Sequence, residues 1–117
     1  MKMDINEMSM DEIWKEINRQ LNANPTPYTG LNTLYALDLA GDDGGQFGLK
    51  FADGKAETMK GQIENADCAL QMSVSDFKKL LGGKLNSTAA FMMGKLKVKG
   101  NIGLALKLEN LLKEYQL

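Results

Sequence analysis

The 117 residues contain no histidine. The chain therefore lacks the commonest general base and the commonest metal ligand. A Ser–His or Cys–His nucleophile pair cannot be assembled either. What remains for acid/base work is a set of scattered carboxylates, so an enzymatic reading has no catalytic pair to rest on. Cys68 is the single cysteine. It falls on a predicted strand beside Asp67, where burial and a neighbouring negative charge both raise a thiol pKa, and a small packing residue is expected there rather than a nucleophile. Gly41-Asp42-Asp43-Gly44-Gly45 lacks the Lys-Ser/Thr of a phosphate loop, and its two aspartates would repel phosphate, so it reads as a turn. Asp38, Asp42 and Asp43 do not have the spacing of the twelve-residue calcium loop. No catalytic residue, metal site or cofactor is expected.

The other chemistry on offer is apolar. Phe77, Leu80, Leu81, Phe91, Met92, Met93, Leu104, Leu108, Leu111 and Leu112 fall on predicted helical faces and all need a dry neighbour. The chain has eight methionines, whose flexible thioethers fit irregular apolar shapes. Four of them, Met1, Met3, Met8 and Met10, lie in or before the first helical turn. Two readings stay open at this point: an ordinary filled core, or the wall of a cavity for an apolar ligand.

These residues must be positioned by a small set of elements. Ser9-Met10-Asp11-Glu12 fits a capping box, and Ile13, Ile17 and Leu21 follow at helical spacing with Met10 and Trp14 alongside. A helix from about Met10 to Asn22 is expected, ending before Pro25 and Pro27. Leu31, Thr33, Tyr35, Leu37 and Leu39 alternate on one face of a strand. Phe47, Leu49 and Phe51 alternate again, Asp53-Gly54 signals a hairpin turn, and a weaker strand follows from about Lys55 to Lys60. A fourth strand is expected over Asp67–Val74. Ser75 is expected to cap a helix over Asp76–Leu81, and Asn86 or Ser87 one over Thr88–Met93. Lys95-Leu96-Lys97-Val98-Lys99 reads as a fifth, edge-like strand with a wet lysine face, and Ile102–Tyr115 as a last helix with an apolar stripe. The element order is α+β, with helices covering one face of the sheet. The length suits one domain over residues 1–117, with residues 1–8 expected to be flexible.

The net charge of −1 argues against nucleic acid as a partner. The charge is unevenly placed. Residues 1–67 hold six basic and twelve acidic side chains, whereas residues 68–117 hold eight lysines and three acidic side chains. The basic half suits an anionic headgroup or transient contact with an anionic membrane surface. Arg19 is the one arginine, so bidentate phosphate clamps are not available. A lone cysteine, the lack of a signal-peptide core in Met1–Met10 and the lack of a membrane-spanning run suggest an intracellular, cytoplasmic protein. Tyr115-Gln116-Leu117 does not match the standard peroxisomal tripeptide Ser-Lys-Leu.

The stretch Phe91-Met92-Met93-Gly94-Lys95-Leu96-Lys97-Val98-Lys99-Gly100-Asn101-Ile102-Gly103-Leu104-Ala105-Leu106-Lys107-Leu108 closely resembles the ending of the sterol carrier protein 2 family. Ala66-Asp67-Cys68 with Leu70 and Met72 is similar to that family's fourth strand. Ser75-Asp76-Phe77 and Gly83-Lys84-Leu85-Asn86 resemble the helix and loop that follow. Leu111-Leu112-Lys113-Glu114-Tyr115 looks like the version of the domain fused to peroxisomal multifunctional enzyme type 2. The resemblance covers about Ser9 to Tyr115.

It implies a five-stranded mixed β-sheet whose helices enclose a hydrophobic tunnel for fatty acids, fatty acyl-CoA and sterols. The ten apolar residues named above would line that tunnel, and the function would be lipid binding and transfer without catalysis. The alternative is an accessory module that presents acyl-CoA to a β-oxidation enzyme. Family members in peroxisomes carry a targeting tripeptide that is not matched here, and Met93 stands where several relatives have a polar residue.

Overall fold

Ser9 closes both halves of the expected capping box. Its hydroxyl accepts from the Glu12 amide at 3.2 Å, and its own amide donates to the Glu12 carboxylate at 2.9 Å. The first helix, α1, runs Met10–Ala23 from that cap. The Met10 amide, one of the donors a helix start leaves without an internal acceptor, is taken by the Asp43 carboxylate at 2.5 Å. The Gly-rich turn thus anchors the start of α1, which is a structural use for one of its two aspartates. In this computed structural model, which describes residues 4–115 and 117, the chain preceding α1 makes a short 3-10 turn over Ile5–Glu7. Ile5 and Met8 lie partly buried against the core. The expected flexible segment 1–8 falls partly outside the described residues.

Five strands form one sheet in the order β3-β2-β1-β4-β5. They are β1 (Thr33–Ala40), β2 (Gly45–Ala52), β3 (Lys55–Lys60), β4 (Cys68–Ser73) and β5 (Lys97–Gly100). The first three make the expected antiparallel meander, with Tyr35 opposite Leu49 and Phe51 opposite Ala56. β4 then joins β1 in parallel, Leu37 opposite Leu70, and β5 closes the edge antiparallel to β4. The sheet is therefore mixed. Thr33, Tyr35, Leu37 and Leu39 are buried on one face of β1, continued by Phe47, Leu49 and Phe51 of β2. Period-two alternation places all of them on one side. α1 packs there through Ile13, Trp14, Ile17 and Leu21. Asn22 ties the end of α1 to β3, its side-chain amide donating to the Ala56 carbonyl at 2.9 Å and accepting from the Ala56 amide at 3.3 Å.

The remaining helices are α2 (Val74–Leu81), α3 (Ser87–Met92) and α4 (Ile102–Leu112). Several boundaries differ from the sequence reading by one or more residues, four of them for a clear local reason. Ser73, not Ser75, caps α2, accepting from the Asp76 amide at 3.0 Å; the earlier start turns Val74 into the core. The first strand starts at Thr33 rather than Leu31, because the Leu31 amide closes a turn onto the Tyr28 carbonyl at 3.0 Å. The fifth strand begins at Lys97 rather than Lys95, because the Lys95 and Leu96 amides both donate to the Ala90 carbonyl, at 2.9 and 3.1 Å, and finish α3. The last helix ends at Leu112 rather than Tyr115, its final carbonyls being satisfied by turns from Glu114 and Tyr115.

Gly100 makes the β5–α4 corner possible. Its φ is +101°, and a Cβ there would lie 2.6 Å from the Asp67 carbonyl oxygen. Asn101 then caps α4 by accepting from the Gly103 amide at 2.8 Å.

Candidate functional site

Polar contacts at three levels fix α4 to the sheet, to α3 and to the end of α1. Near its start, the Tyr35 hydroxyl of the central strand donates to the Leu104 carbonyl at 2.8 Å. Burial pushes the Tyr35 phenol far above its ordinary pKa, with Cys68 and Asp67 adding to the shift. It is therefore a neutral donor throughout the physiological range. At mid-helix, the Glu109 carboxylate accepts from the Ser87 amide at 2.7 Å and pairs with Lys113 at 3.2 Å. Burial alone would raise the Glu109 carboxyl. The Ser87 hydrogen bonds and Lys113 outweigh it and hold the carboxyl below its usual value. Beyond the helix, the Tyr115 hydroxyl donates to the Asn24 carbonyl at 2.6 Å. Burial, followed by the nearby Tyr28 and Glu114, pushes this phenol up to about 12.

A cleft of about 830 Å³ opens between the outer half of α4 and the segment Asn24–Leu31 that follows α1. This lies within the usual volume range of small-molecule sites. Tyr28, Leu31 and Leu111 give it apolar surface, while Lys107, Asn110 and Glu114 stand along the α4 side. Tyr28 is itself fixed, its hydroxyl donating to the Leu21 carbonyl at 2.8 Å and its ring lying 4.9 Å from that of Phe51. Leu111 belongs both to the cleft lining and to the buried core. It therefore connects the cleft with the apolar layer beneath α4.

The ten apolar residues singled out from the sequence separate into three groups. Phe77, Leu80 and Leu81 of α2 and Leu108, Leu111 and Leu112 of α4 are brought together in one buried cluster with the inner sheet face. Phe77 and Leu108 are each 1% exposed, so in this arrangement they are packed shut and line no open channel. Leu104 is partly buried at the cluster's edge. Phe91, Met92 and Met93 lie on the surface, Met92 at 80% exposure. The structure does not place these three with the others. The six-residue helix α3 directs Ala90 inward, which turns the next three side chains outward. Tyr28, Leu31 and Lys107 line the cleft and were not singled out as site residues, nor was Tyr115, whose hydroxyl reaches the lining residue Asn24. The aromatic residues beside Pro27 and at the end of the last stripe were the available signals.

Cys68 is buried and free, and burial, reinforced by Asp67, raises its thiol pKa. It is inert packing, as its position predicts. Among the described residues no group of three or more Cys, Asp or Glu is placed to hold a metal ion.

The sequence profile described as the SCP-2 sterol transfer family matches residues 14–113, which run from within α1 to just past the end of α4. The chain belongs to the SCP-2 sterol transfer family. The resemblance read from the 91–108 stretch is thereby shown for most of the chain. Hydroxysteroid dehydrogenase-like protein 2 of Xenopus laevis is 38% identical over 104 residues, which cover 88% of this chain and 24% of that protein. The chain thus spans about a quarter of that relative's length. The apo form of sterol carrier protein 2 from Yarrowia lipolytica is 30% identical, with a TM-score of 0.69 and 89% of each chain covered. The solution structure of palmitated SCP2L2 from Aedes aegypti shares the fold with a TM-score of 0.70 at 20% identity, covering 94% of this chain and 99% of that one.

Proposed function

We propose that this chain binds single lipid molecules (fatty acid, fatty acyl-CoA or sterol) beneath α4 and transfers them without catalysis. The observation that carries the reading is the position of Leu111, shared between the cleft and the closed apolar cluster of α2, α4 and the sheet. An acyl chain entering past Leu111 would exchange water for Leu108, Leu112, Leu80 and Phe77. Each buried methylene contributes about 0.8 kcal/mol. A chain of about a dozen carbons then suffices for roughly micromolar affinity after the costs of binding. Lys107 at the cleft rim suits a carboxylate or a CoA phosphate, with Glu114 nearby to disfavour a second anion. Because the cluster is packed shut, occupancy needs α4 to move away from the sheet.

Two comparisons support the reading. The Aedes aegypti neighbour is a palmitated protein, and the matching family is described by sterol transfer. Native mass spectrometry of the freshly purified chain, alone and with palmitate, palmitoyl-CoA and cholesterol, tests it. A one-to-one adduct with at least one is expected. Failure to bind any of the three would sink it.

A second reading, presentation of acyl-CoA to a β-oxidation enzyme, is favoured by the much longer dehydrogenase-like relative. It predicts that the chain changes the rate of a purified acyl-CoA-consuming enzyme at limiting substrate. Unchanged rates would leave simple carriage.

A further inference from the structure

A fold that buries a hydrogen-bond donor ordinarily pairs it. The core does so at both of its buried tyrosines. The Tyr28 hydroxyl donates to the Leu21 carbonyl and the Tyr35 hydroxyl to the Leu104 carbonyl, each at 2.8 Å. Trp14 is the exception. It is 6% exposed. Its Nε1 is the one buried side-chain nitrogen or oxygen among the described residues that has no partner.

The indole is stacked on Phe47 at 5.0 Å and on Phe77 at 5.4 Å, with planes 16° and 18° from parallel. Its N–H lies in the ring plane, so neither stacked ring can receive it. A buried water would need about two to four polar partners. Among the described residues no second unpartnered buried side-chain atom is there to help hold one. The stacking itself needs no N–H, since a phenylalanine ring has the same faces to offer.

Phe77 puts this donor at the end of the lipid path. It belongs with Leu80, Leu108 and Leu112 to the apolar cluster beneath α4, and its ring is in contact with Trp14. Lys107 lies at the other end of that path, on the rim of the cleft. A chain running from Lys107 past Leu111 to Phe77 carries its carboxylate at one polar group and its far end towards another.

On the basis of the lipid-binding reading above, we infer that Trp14 Nε1 is a recognition donor at the inner end of the site, and that the preferred ligand is a single-chain lipid acid with an acceptor oxygen, such as a ketone, in the distal half of its chain. The chemistry of the donor selects the group. Indole only donates, so its partner must accept. A ketone only accepts and brings no donor of its own into the cluster. A hydroxyl brings a further donor, and a second carboxylate brings a charge, into surroundings that pair neither. A plain alkyl chain leaves the indole N–H unpaired.

The chain has one tryptophan, so its indole N–H gives one signal in a nitrogen-correlated NMR spectrum of the full protein. The probes are octadecanoate and its 4-oxo, 10-oxo, 12-oxo and 14-oxo derivatives, titrated into wild type and Trp14→Phe. In wild type at least one distal ketone should move the indole proton downfield, as hydrogen bonding does, and further than octadecanoate or the 4-oxo acid moves it. The affinity of that ketone relative to octadecanoate should fall about fivefold in Trp14→Phe. The ratio cancels any general weakening of the site by the substitution. The wild-type spectra need no variant, so they decide the matter even if Trp14→Phe fails to fold. Octadecanoate binding with no added indole shift from any distal ketone would overturn the role of Trp14 and leave lipid binding standing. So would a relative affinity that Trp14→Phe leaves unchanged. Binding of none of the five acids would overturn both.

Discussion

The ring of Trp14 on α1 lies on that of Phe77 on α2, with centroids 5.4 Å apart and planes 18° from parallel. On its other contact, Trp14 stacks on Phe47 of β2 at 5.0 Å and 16°. One indole therefore joins the helix that covers the meander to the helix that helps close the apolar cluster. It is also the only tryptophan.

Among the described residues the buried Trp14 Nε1 has no hydrogen-bond partner. An unsatisfied buried donor costs about 1–3 kcal/mol. Trp14→Phe removes that donor and keeps an aromatic ring between Phe47 and Phe77. Trp14→Ala removes the ring. Chemical denaturation is expected to show a loss of about 3–5 kcal/mol for alanine and a much smaller loss for phenylalanine. Equal losses would mean that the stack does not carry the joint between the two helices.

Glu109 gives the α3–α4 contact a pH dependence. Its folded carboxyl pKa lies below the usual value. Stability from this source is therefore present above the unfolded glutamate pKa of about 4.3. It is lost as pH falls through the lower folded value. Glu109→Gln should be less stable than wild type near neutral pH, and the gap should narrow in acid. Parallel stability curves for the two proteins would contradict this role.

Tyr35 holds α4 by one hydrogen bond to Leu104. Tyr35→Phe should cost about 0.5–1.5 kcal/mol, since it removes the donor and keeps the buried ring. Amide exchange in α4 should accelerate more than exchange in α1. Uniform acceleration of both helices would show that the bond contributes only to global stability.

At Gly100 the left-handed backbone and the nearby Asp67 carbonyl both exclude a side chain. Gly100→Ala should cost about 1–3 kcal/mol, read as a lower midpoint in thermal unfolding. An unchanged midpoint would mean that the corner relaxes freely.

Most of the architecture was legible because local chemistry and pattern agreed. The Ser9–Glu12 box, the alternation through Tyr35 and Phe47, and the Gly100-Asn101 corner each specify their element within a few residues. Where two local signals competed, tertiary packing decided. Ser73 and Ser75 are both acceptable caps, and burial of Val74 selects the first. The site was legible only in part. Helical periodicity identified Leu108 and Leu112 as inward, but α3 is too short for a periodic pattern to orient Phe91, Met92 and Met93. The cleft was hidden because its second wall comes from Asn24–Leu31, far from α4 in sequence and without regular structure beyond the 3-10 turn Thr26–Tyr28.

The central claim is that an acyl chain lies beneath α4, reached past Leu111. Isotope-filtered NMR on the labelled chain with unlabelled palmitate tests it most directly, through dipolar contacts between ligand methylene protons and protein side chains. The account predicts contacts to Phe77, Leu80, Leu108, Leu111 and Leu112, with the carboxyl end near Lys107. Contacts confined to Phe91, Met92 and Met93 on the surface, or none at all, would contradict it.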